Sequence, residues 1–503
     1  METLGFLSLG LEVALQPTNL MVALLGAFIG TIVGLLPGLG PVNGVALLMP
    51  FTYAIGLPAE TALILLVAVY VGCEYGGRIS AILMNIPGDA AALMTTLDGY
   101  PMAKQGKAGI ALSISAVSSF FGSLLATIGV VLFAPLLAKW ATSFGPAEYF
   151  ALMIFAITCL TGLVTDKPIK TLIAALIGIA LSIPGVDGVS GVYRYTFDIV
   201  GLFDGIQFTT IIIGFFSISE ILLMLEQAAA GTKIAARGQR MYFNVKEFLI
   251  AFPVMIRSGI VGFVVGVLPG AGATIASAIT YTSEKKLAGN KGDFGNGDIR
   301  GVAAPEAANN ASANGSLIPM LTLGIPGSGT TAVMIGALTL YNITPGPQLF
   351  SQEPQLVWGL IVSLFICNII LLIMNLPLVG FFAKLLSVPN YILVPGIALV
   401  SFTGVYALYC TTFVLFLVIL FGVFGYFLRK FNYPLSALIL GYVLGDMMEA
   451  NLRRALSISN GEGGILWNSS ISITLWVLSF FVILLPIYRA YKRYLMKKVS
   501  AKG

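Results

Sequence analysis

The sequence contains no histidine, and only 10% of its 503 residues are charged. Without histidine the chain lacks an imidazole for a proton relay, for haem or transition-metal ligation, or for a Ser-His hydrolase. Soluble domains carry roughly 25% charged residues, so the composition argues against one. The net charge of +5 arises largely from loops and the C-terminal tail, and it does not indicate nucleic-acid binding.

Sequence motifs for catalysis and cofactors are also missing. The chain has no GxxxxGK[ST] phosphate loop, no HExxH and no GxSxG, so ATP hydrolysis would require another chain. Its four cysteines lie in apolar segments without CxxC spacing, and we expect them to pack in the core rather than to form disulfides or metal sites. We therefore expect no cofactor, no metal site and no enzyme.

Long apolar runs are what the sequence does have. Hydrophobic residues make up 57% of the chain and the mean hydropathy is +0.95, which predicts an all-α polytopic membrane protein. Runs long enough for helices fall at 18–36, 41–56, 60–75, 107–138, 147–165, 168–183, 206–226, 247–268, 273–286, 355–377, 388–408, 411–428, 434–449 and 470–495.

Two of these runs are interrupted by nearly the same motif. Residues 34–40 read GLLPGLG, and residues 266–272, 232 positions later, read GVLPGAG. A second matching pair follows, NIPG at 85–88 and GIPG at 324–327. Proline removes a helix donor and glycine lets the chain turn, and such breaks, repeated in two halves, indicate the binding site of a secondary transporter.

The second pair of motifs lies within two shorter stretches, 77–104 and 301–343, each with two half-length apolar pieces. A half-length helix cannot cross a hydrocarbon core about 30 Å thick, so we expect a re-entrant hairpin at each place. One kinked full-length helix is the alternative.

The placement of lysine and arginine predicts an inverted duplication. The basic C-terminal tail and the loop at 227–246 indicate the cytoplasmic side, whereas residues 1–77 contain no lysine or arginine. The predicted organisation is a first repeat over 1–226 with a break at 34–43 and a hairpin at 77–104, the loop at 227–246, a second repeat over 247–450 with a break at 266–277 and a hairpin at 301–343, and a C-terminal transmembrane helix with a basic cytoplasmic tail over 451–503.

Broken helices offer main-chain groups for binding. A helix that restarts after a break points free N–H groups and a partial positive charge into it, which suits an anion, and the preceding helix ends in carbonyl oxygens that suit a cation. The alternative is a kink that only lets helices cross. The predicted substrate-binding residues are Gly38, Gly40, Pro41, Asn43, Asn85, Pro87, Gly88, Gly270, Gly272, Thr274, Pro326, Gly327, Ser328, Thr330 and Thr331.

Four polar side chains are predicted to bind a cation, namely Asn85, Asp89, Asn310 and Asn314. Asp89 has an alternative role as the cap of the helix that follows it. Asn310 and Asn314 lie on one helix face, and their alternative role is interhelical hydrogen bonding. Glu74 and Arg78, four residues apart, are predicted to form a local salt bridge, although Arg78 is also a candidate guide for an anion.

Together these motifs resemble the large membrane subunit of tripartite tricarboxylate transporters, the TctA-like family, over about 20–480. The residues that carry the resemblance are those at 34–43, the YGGR at 75–78, NIPGD at 85–89, LPGAG at 268–272, PEAANNA at 305–311 and GIPG at 324–327. The resemblance implies a cation-driven uptake system of the bacterial inner membrane for di- and tricarboxylates or related anions, with Na⁺ or H⁺ as the coupling ion.

The resemblance also implies two partners: a small membrane subunit of roughly four helices (TctB-like) and a periplasmic solute-binding protein (TctC-like). The family is similar to the broader ion-transporter superfamily, which implies an elevator-type movement of a substrate domain. We expect Na⁺ rather than H⁺, since histidine is absent. A passive anion channel, a non-transporting membrane scaffold subunit and a membrane enzyme are the alternatives.

Overall fold

The structure is a computed structural model, and it describes residues 2–36, 38–163, 167–187, 190–227, 242–270, 272–289, 292–378, 380–382 and 390–484. The centres of both breaks, Pro37 and Ala271, lie outside these residues, as do 228–241 of the predicted cytoplasmic loop and the tail beyond 484.

Helices account for nearly all of the regular structure. They are α1 Glu2–Ala14, α2 Pro17–Leu35, α3 Gly40–Ala54, α4 Ala59–Met84, α5 Leu93–Lys104, α6 Ala108–Ala141, α7 Pro146–Leu163, α8 Pro168–Ser182, α9 Phe208–Glu226, α10 Val245–Val267, α11 Gly272–Ala288, α12 Ile299–Gly315, α13 Leu317–Leu323, α14 Gly329–Leu340, α15 Leu349–Gln352, α16 Pro354–Asn375, α17 Asn390–Tyr409, α18 Thr412–Lys430, α19 Leu435–Ile458 and α20 Ser470–Leu484. The strands Gly185–Val186 and Tyr193–Arg194 pair antiparallel between α8 and α9.

Nine of the helices in the described ranges are long and apolar enough to cross a membrane: α2, α4, α6, α9, α10, α16, α17, α18 and α19. The predicted all-α, multi-pass membrane protein is therefore confirmed. The inverted topology, the re-entrant hairpins and the division into two repeats stay predictions.

Both predicted interruptions are present in the structure. Helix α2 ends at Leu35 and α3 begins at Gly40, and in the second half α10 ends at Val267 and α11 begins at Gly272. Gly40 and Gly272, which open the new helices, both have positive φ angles, so the chain reverses where glycine alone fits without strain.

The first hairpin differs from its predicted bounds. The sequence suggests one helix over 60–75 and a hairpin that begins at 77, but α4 runs unbroken from Ala59 to Met84. Gly76 does not break α4, because it is where α4 meets α2: a Cβ there would lie 2.3 Å from the Thr31 carbonyl oxygen. The interruption comes at Asn85, in the left-handed conformation, and α5 follows the tip.

The range predicted for the second hairpin, 301–343, contains most of three short helices that run from Ile299 to Leu340. Helices α12 and α13 form its first arm, Gly324 ends that arm in the left-handed conformation, and α14 forms the second arm. Asn85 and Gly324 thus occupy the same position in the two hairpins, 239 residues apart.

The two halves also repeat a close helix contact. A Cβ added at Gly34 would lie 2.1 Å from the Cys73 carbonyl oxygen. A Cβ added at Gly266 would lie 2.4 Å from the Ser312 carbonyl oxygen. Gly34 and Gly266 are 232 residues apart, and Cys73 and Ser312 are 239 apart. Helix α2 therefore crosses α4 as α10 crosses α12, with glycine allowing the backbones to touch.

The predicted end of the second repeat at 450 cuts through a helix. Helix α19 continues to Ile458, because its charged last turns have partners. Arg453 pairs with Glu449 at 2.6 Å, one turn earlier, and with Asp187 at 3.0 Å. The predicted C-terminal helix corresponds to α20, which is described as far as Leu484.

Asp98 on α5 connects the first hairpin to the second half. Its Oδ1 accepts hydrogen bonds from the backbone N–H groups of Gly295, Gly297 and Asp298 at 2.8–2.9 Å. Its Oδ2 accepts a hydrogen bond from the Tyr281 hydroxyl at 2.8 Å. We call this set of contacts the cross-brace. A buried carboxylate with this many donors is well stabilised.

Asp298, whose N–H donates to Asp98, also caps α12: its side chain accepts a hydrogen bond from the Arg300 N–H at 2.9 Å. Burial by itself raises the pKa of the Asp298 carboxyl, but the hydrogen bonds and charge of Arg300, with the Asp293 N–H, outweigh it and lower the pKa. An ionised carboxylate at this end of α12 complements the helix dipole.

The repeated glycine contact predicts that the two halves respond alike to substitution. We expect Gly34→Val and Gly266→Val each to lower the melting temperature of the purified protein, since overpacking costs about 1–3 kcal/mol. Gly396→Val on α17 is the control, because an added Cβ there meets nothing within 4 Å. Unequal effects of the Gly34 and Gly266 variants would contradict an equivalent helix crossing.

Candidate functional site

Each hairpin tip is hydrogen-bonded through its backbone to the helix break of its own half. The Gly38 N–H donates to the Gly88 carbonyl oxygen at 3.3 Å, and the Gly270 N–H donates to that of Gly327 at 3.1 Å. These N–H and carbonyl groups were predicted to be free for substrate, but in the structure they hydrogen-bond each tip to its break. Binding must then depend on the groups beside them.

The larger of two adjoining cavities has a volume of about 410 Å³ and lies between the first break and the first tip. Phe216, in a π-helical stretch of α9, and Arg429 of α18 form part of its wall. Arg429 also pairs with Glu220 of α9. The remaining lining residues are Gly38, Leu39, Gly40, Pro41, Val42, Asn43, Pro87, Gly88, Asp89, Ala90 and Leu93.

The smaller cavity, of about 230 Å³, is where the two halves meet. Both breaks and both tips contribute to it, together with Tyr70 and Glu74 of α4. Its other lining residues are Pro41, Val42, Asp89, Ala90, Ala91, Leu160, Gly270, Gly272, Ala273, Thr274, Ser328, Gly329, Thr330, Ser436 and Leu440. Asp89 and Ala90 lie at the wall of both cavities.

Four helices begin at these cavities. The first residues of α3, α11 and α14 line them, and the first tip leads directly into α5 at Leu93. Each helix N-terminus carries roughly half a positive charge and N–H groups without helical partners. The arrangement can hold an anion without a basic side chain in the smaller cavity.

The chain is similar in sequence to known proteins. The family model "Tripartite tricarboxylate transporter TctA family" matches residues 20–440. The chain belongs to this family. A protein of Agrobacterium vitis, the "Uncharacterized 52.8 kDa protein in TAR-I ttuC' 3'region", is 38% identical over 475 residues, which are 94% of each chain. A second, the "Uncharacterized protein in TAR-II ttuC' 3'region", is 41% identical over 226 residues, 45% of this chain and 93% of that protein. No solved structure matches the chain.

The TctA family is a transporter family, so membership agrees with a transport subunit of a tripartite tricarboxylate transporter rather than an enzyme. The family match alone does not assign roles to residues. The positions of the predicted residues in this TctA chain therefore have to be read from its own geometry.

Most of the predicted substrate-binding residues line one of the two cavities. They are Gly38, Gly40, Pro41, Asn43, Pro87, Gly88, Gly270, Gly272, Thr274, Ser328 and Thr330. Asn85, Pro326, Gly327 and Thr331 are absent from both linings among the described residues. Thr331 instead completes the cap of α14, because it accepts from the Ser328 N–H at 2.8 Å while its own N–H donates to Ser328 Oγ at 3.2 Å.

Asp89 faces both cavities and also hydrogen-bonds the backbone just before α5, whose N-cap residue is Ala92. Its Oδ1 accepts a hydrogen bond from the Ala92 N–H at 2.9 Å at the start of α5. Ser328, 239 positions later, caps α14 in the same way through Thr331. The Asp89 carboxyl also lies within hydrogen-bonding distance of the Glu74 carboxyl.

Of the predicted cation-binding asparagines, Asn314 has the interhelical role. Its Nδ2 donates to Ser123 Oγ at 2.7 Å and to Thr127 Oγ1 at 2.9 Å, both on α6. The Asn310 amide donates to the Glu306 carbonyl oxygen at 3.2 Å. Neither asparagine lines a cavity, and Asn85 is an exposed residue at the end of α4.

The predicted salt bridge between Glu74 and Arg78 is wrong. The Arg78 guanidinium is 0% exposed and donates to the Leu112 carbonyl oxygen at 2.8 Å, to Ser115 at 2.6 Å and to Asn375 at 3.2 Å. It points towards α6 and α16 rather than to either cavity, so it cannot guide an anion here. Glu74 faces the smaller cavity, and its charge in an apolar segment was the signal for this role.

Arg78 is predicted to be structural. We expect Arg78→Lys to destabilise the protein by about 2 kcal/mol, since one ammonium cannot replace a fork bonded to four acceptors, the fourth being the Tyr75 carbonyl oxygen. The melting temperature should fall while the affinity for substrate stays unchanged. Arg454→Lys, at an exposed position of α19, is the control. A weaker substrate affinity at an unchanged melting temperature would show that Arg78 acts on the substrate.

Proposed function

We propose that the chain is the large permease subunit of a tripartite, binding-protein-dependent secondary transporter that imports di- and tricarboxylates or related organic anions together with Na⁺ or H⁺. The observation that carries the proposal is the meeting of both breaks and both tips at one cavity, with helix N-termini from each half pointing towards it. Membership of the TctA family supports the substrate class.

Carboxylates suit this cavity for a physical reason. A di- or tricarboxylate needs several donors at fixed positions, and N–H groups at helix N-termini provide them with little reorganisation. The hydroxyl groups of Thr274, Ser328 and Thr330 lie among these N-termini and add side-chain donors. The carboxyl groups of Glu74 and Asp89 at the same wall repel an anion, so a cation or a proton must accompany it.

An elevator-type movement is the mechanism that we propose. The tips are hydrogen-bonded to the breaks, and the cross-brace joins the first hairpin to the second half. The opposite walls come from different helices, with Phe216 on α9, Arg429 on α18 and Ser436 on α19. The hairpins and breaks can then move as one body against these helices and carry the substrate with them.

The proposed partners are the small TctB-like membrane subunit and the TctC-like periplasmic solute-binding protein. We place the complex in the bacterial inner membrane with the C-terminus cytoplasmic, as the basic tail suggests. Lys430 at the end of α18 pairs with Glu226 at the end of α9 at 2.6 Å, so these two ends lie on one side. The basic loop follows α9 directly, which supports assigning that side to the cytoplasm.

Uptake into cells or proteoliposomes that contain the chain and both partners tests the function. We expect a labelled di- or tricarboxylate to accumulate against its gradient, and each component to be required. Equilibration without accumulation would favour a passive channel. The same panel should include a zwitterionic amino acid as a non-substrate.

A substitution at the shared wall tests the site itself. We expect Ala90→Trp to abolish uptake, because an indole fills much of a cavity of about 230 Å³. Ala90→Ser, which adds one oxygen atom, should retain most of the activity. Both proteins should show the melting temperature of the wild type, since Ala90 is exposed. Uptake that survives Ala90→Trp would favour a non-transporting scaffold subunit.

A further inference from the structure

Glu74 lies on the buried helix α4 and reaches the smaller cavity with a side chain that has no counter-ion. The residue is 3% exposed, and its Oε2 makes no hydrogen bond within the described structure. Its carboxyl group faces the Asp89 carboxyl and the Asn309 amide. Asn309 is 1% exposed, and neither its Oδ1 nor its Nδ2 has a hydrogen-bond partner among the described residues.

Unpartnered polar atoms at such burial are costly, since each loses its hydration without a replacement. Two side chains, Glu74 on α4 and Asn309 on α12, leave oxygen atoms without a hydrogen-bond partner beside Asp89 of the first tip. In a folded protein this pattern indicates an ion or water that completes the site.

The local charge favours a cation. Glu306 adds a third carboxyl group within electrostatic range of Glu74. Arg78, the basic residue of α4, is hydrogen-bonded to α6 and α16. Among the described residues, neither Glu74 nor Asp89 forms an ion pair with lysine or arginine. Two adjacent carboxylates at low dielectric do not both ionise without a neutralising charge.

We propose that Glu74, Asp89 and Asn309 form a binding site for Na⁺ at the wall of the smaller cavity. The ligands are one carboxylate oxygen of Glu74, Asp89 Oδ2 and Asn309 Oδ1. Carboxylate and amide oxygens are the ligands that hard cations prefer. The described residues hold no group of three or more acidic or cysteine side chains that could hold a metal ion.

This inference rests on the proposed function, because it assigns the coupling ion of the same cavity. A bound Na⁺ cancels the repulsion between these carboxylates and an incoming anionic substrate, so the two bind cooperatively. Asp89 belongs to a tip that lines both cavities, so a bound ion also influences the position of that tip.

Binding of Na⁺ to the purified chain without substrate tests the site independently of transport. We expect the melting temperature to rise saturably as NaCl replaces choline chloride at constant ionic strength and pH, since a ligand of the folded state stabilises it. Glu74→Gln and Asn309→Ala should each raise the half-saturating Na⁺ concentration about tenfold or more. Asp89→Asn should do the same, and it retains an oxygen to cap Ala92.

Glu12→Gln, at an exposed position of α1, is the control and should leave the Na⁺ response unchanged. Should one variant fail to fold, the other two still decide the matter. An unchanged half-saturation in the folded variants would overturn the site, as would a loss of Na⁺ response in Asn310→Ala but not in Asn309→Ala. A wild-type protein that ignores Na⁺ and responds only to pH would assign the charge to a proton instead.

The pH experiment has to consider every titratable group near Glu74. These are Asp89 on the tip, Glu306 on α12, and Tyr70 and Cys73 on α4 itself. Glu74→Gln should abolish a pH response that depends on this site. A chain that binds Na⁺ through these residues but does not accumulate any carboxylate would retain the site and refute the proposed function.

Discussion

The backbone hydrogen bond between a tip and a break, made once in each half, holds the candidate site together. It joins Gly38 to Gly88 and Gly270 to Gly327. Two non-helical segments, each with main-chain groups that no helix satisfies, meet part of each other's hydrogen-bonding capacity. Because each break is held by a tip, the helices that start there are fixed in direction, and their N-termini meet at one cavity.

This arrangement depends on helices that approach each other unusually closely. Helix α12 is built mainly from alanine, glycine, asparagine and serine, and it is buried from Gly301 to Gly315. Small side chains let α6 and α10 pack directly on its backbone, as the glycines at positions 122 and 266 show. The buried amides and carboxylates then need specific partners, and Glu74 Oε2 and both polar atoms of Asn309 have none among the described residues.

The sequence was informative wherever the physics is local. Pro-Gly pairs predicted the breaks near 36 and 268 and the tips of the hairpins, although Pro395-Gly396 lies inside α17. The direction in which a side chain points was not predictable. Helix α4 is buried on almost every face, so no amphipathic pattern distinguishes the cavity side of Glu74 from the packing side of Arg78. The partners of Asn314 on α6 were equally hidden, since they depend on tertiary contacts far away in the chain.

The two offsets that relate the halves differ by seven residues, being 232 for the breaks and 239 for the hairpins. The additional residues fall between α11 and α12, where the second half has a longer connection than the first. That connection supplies Gly295, Gly297 and Asp298 to the cross-brace, and the counterpart of Asp98 in the second half is Ala337. The seven additional residues thus give the second half backbone donors for Asp98 of the first half, and the second half has no acidic residue at the position equivalent to Asp98.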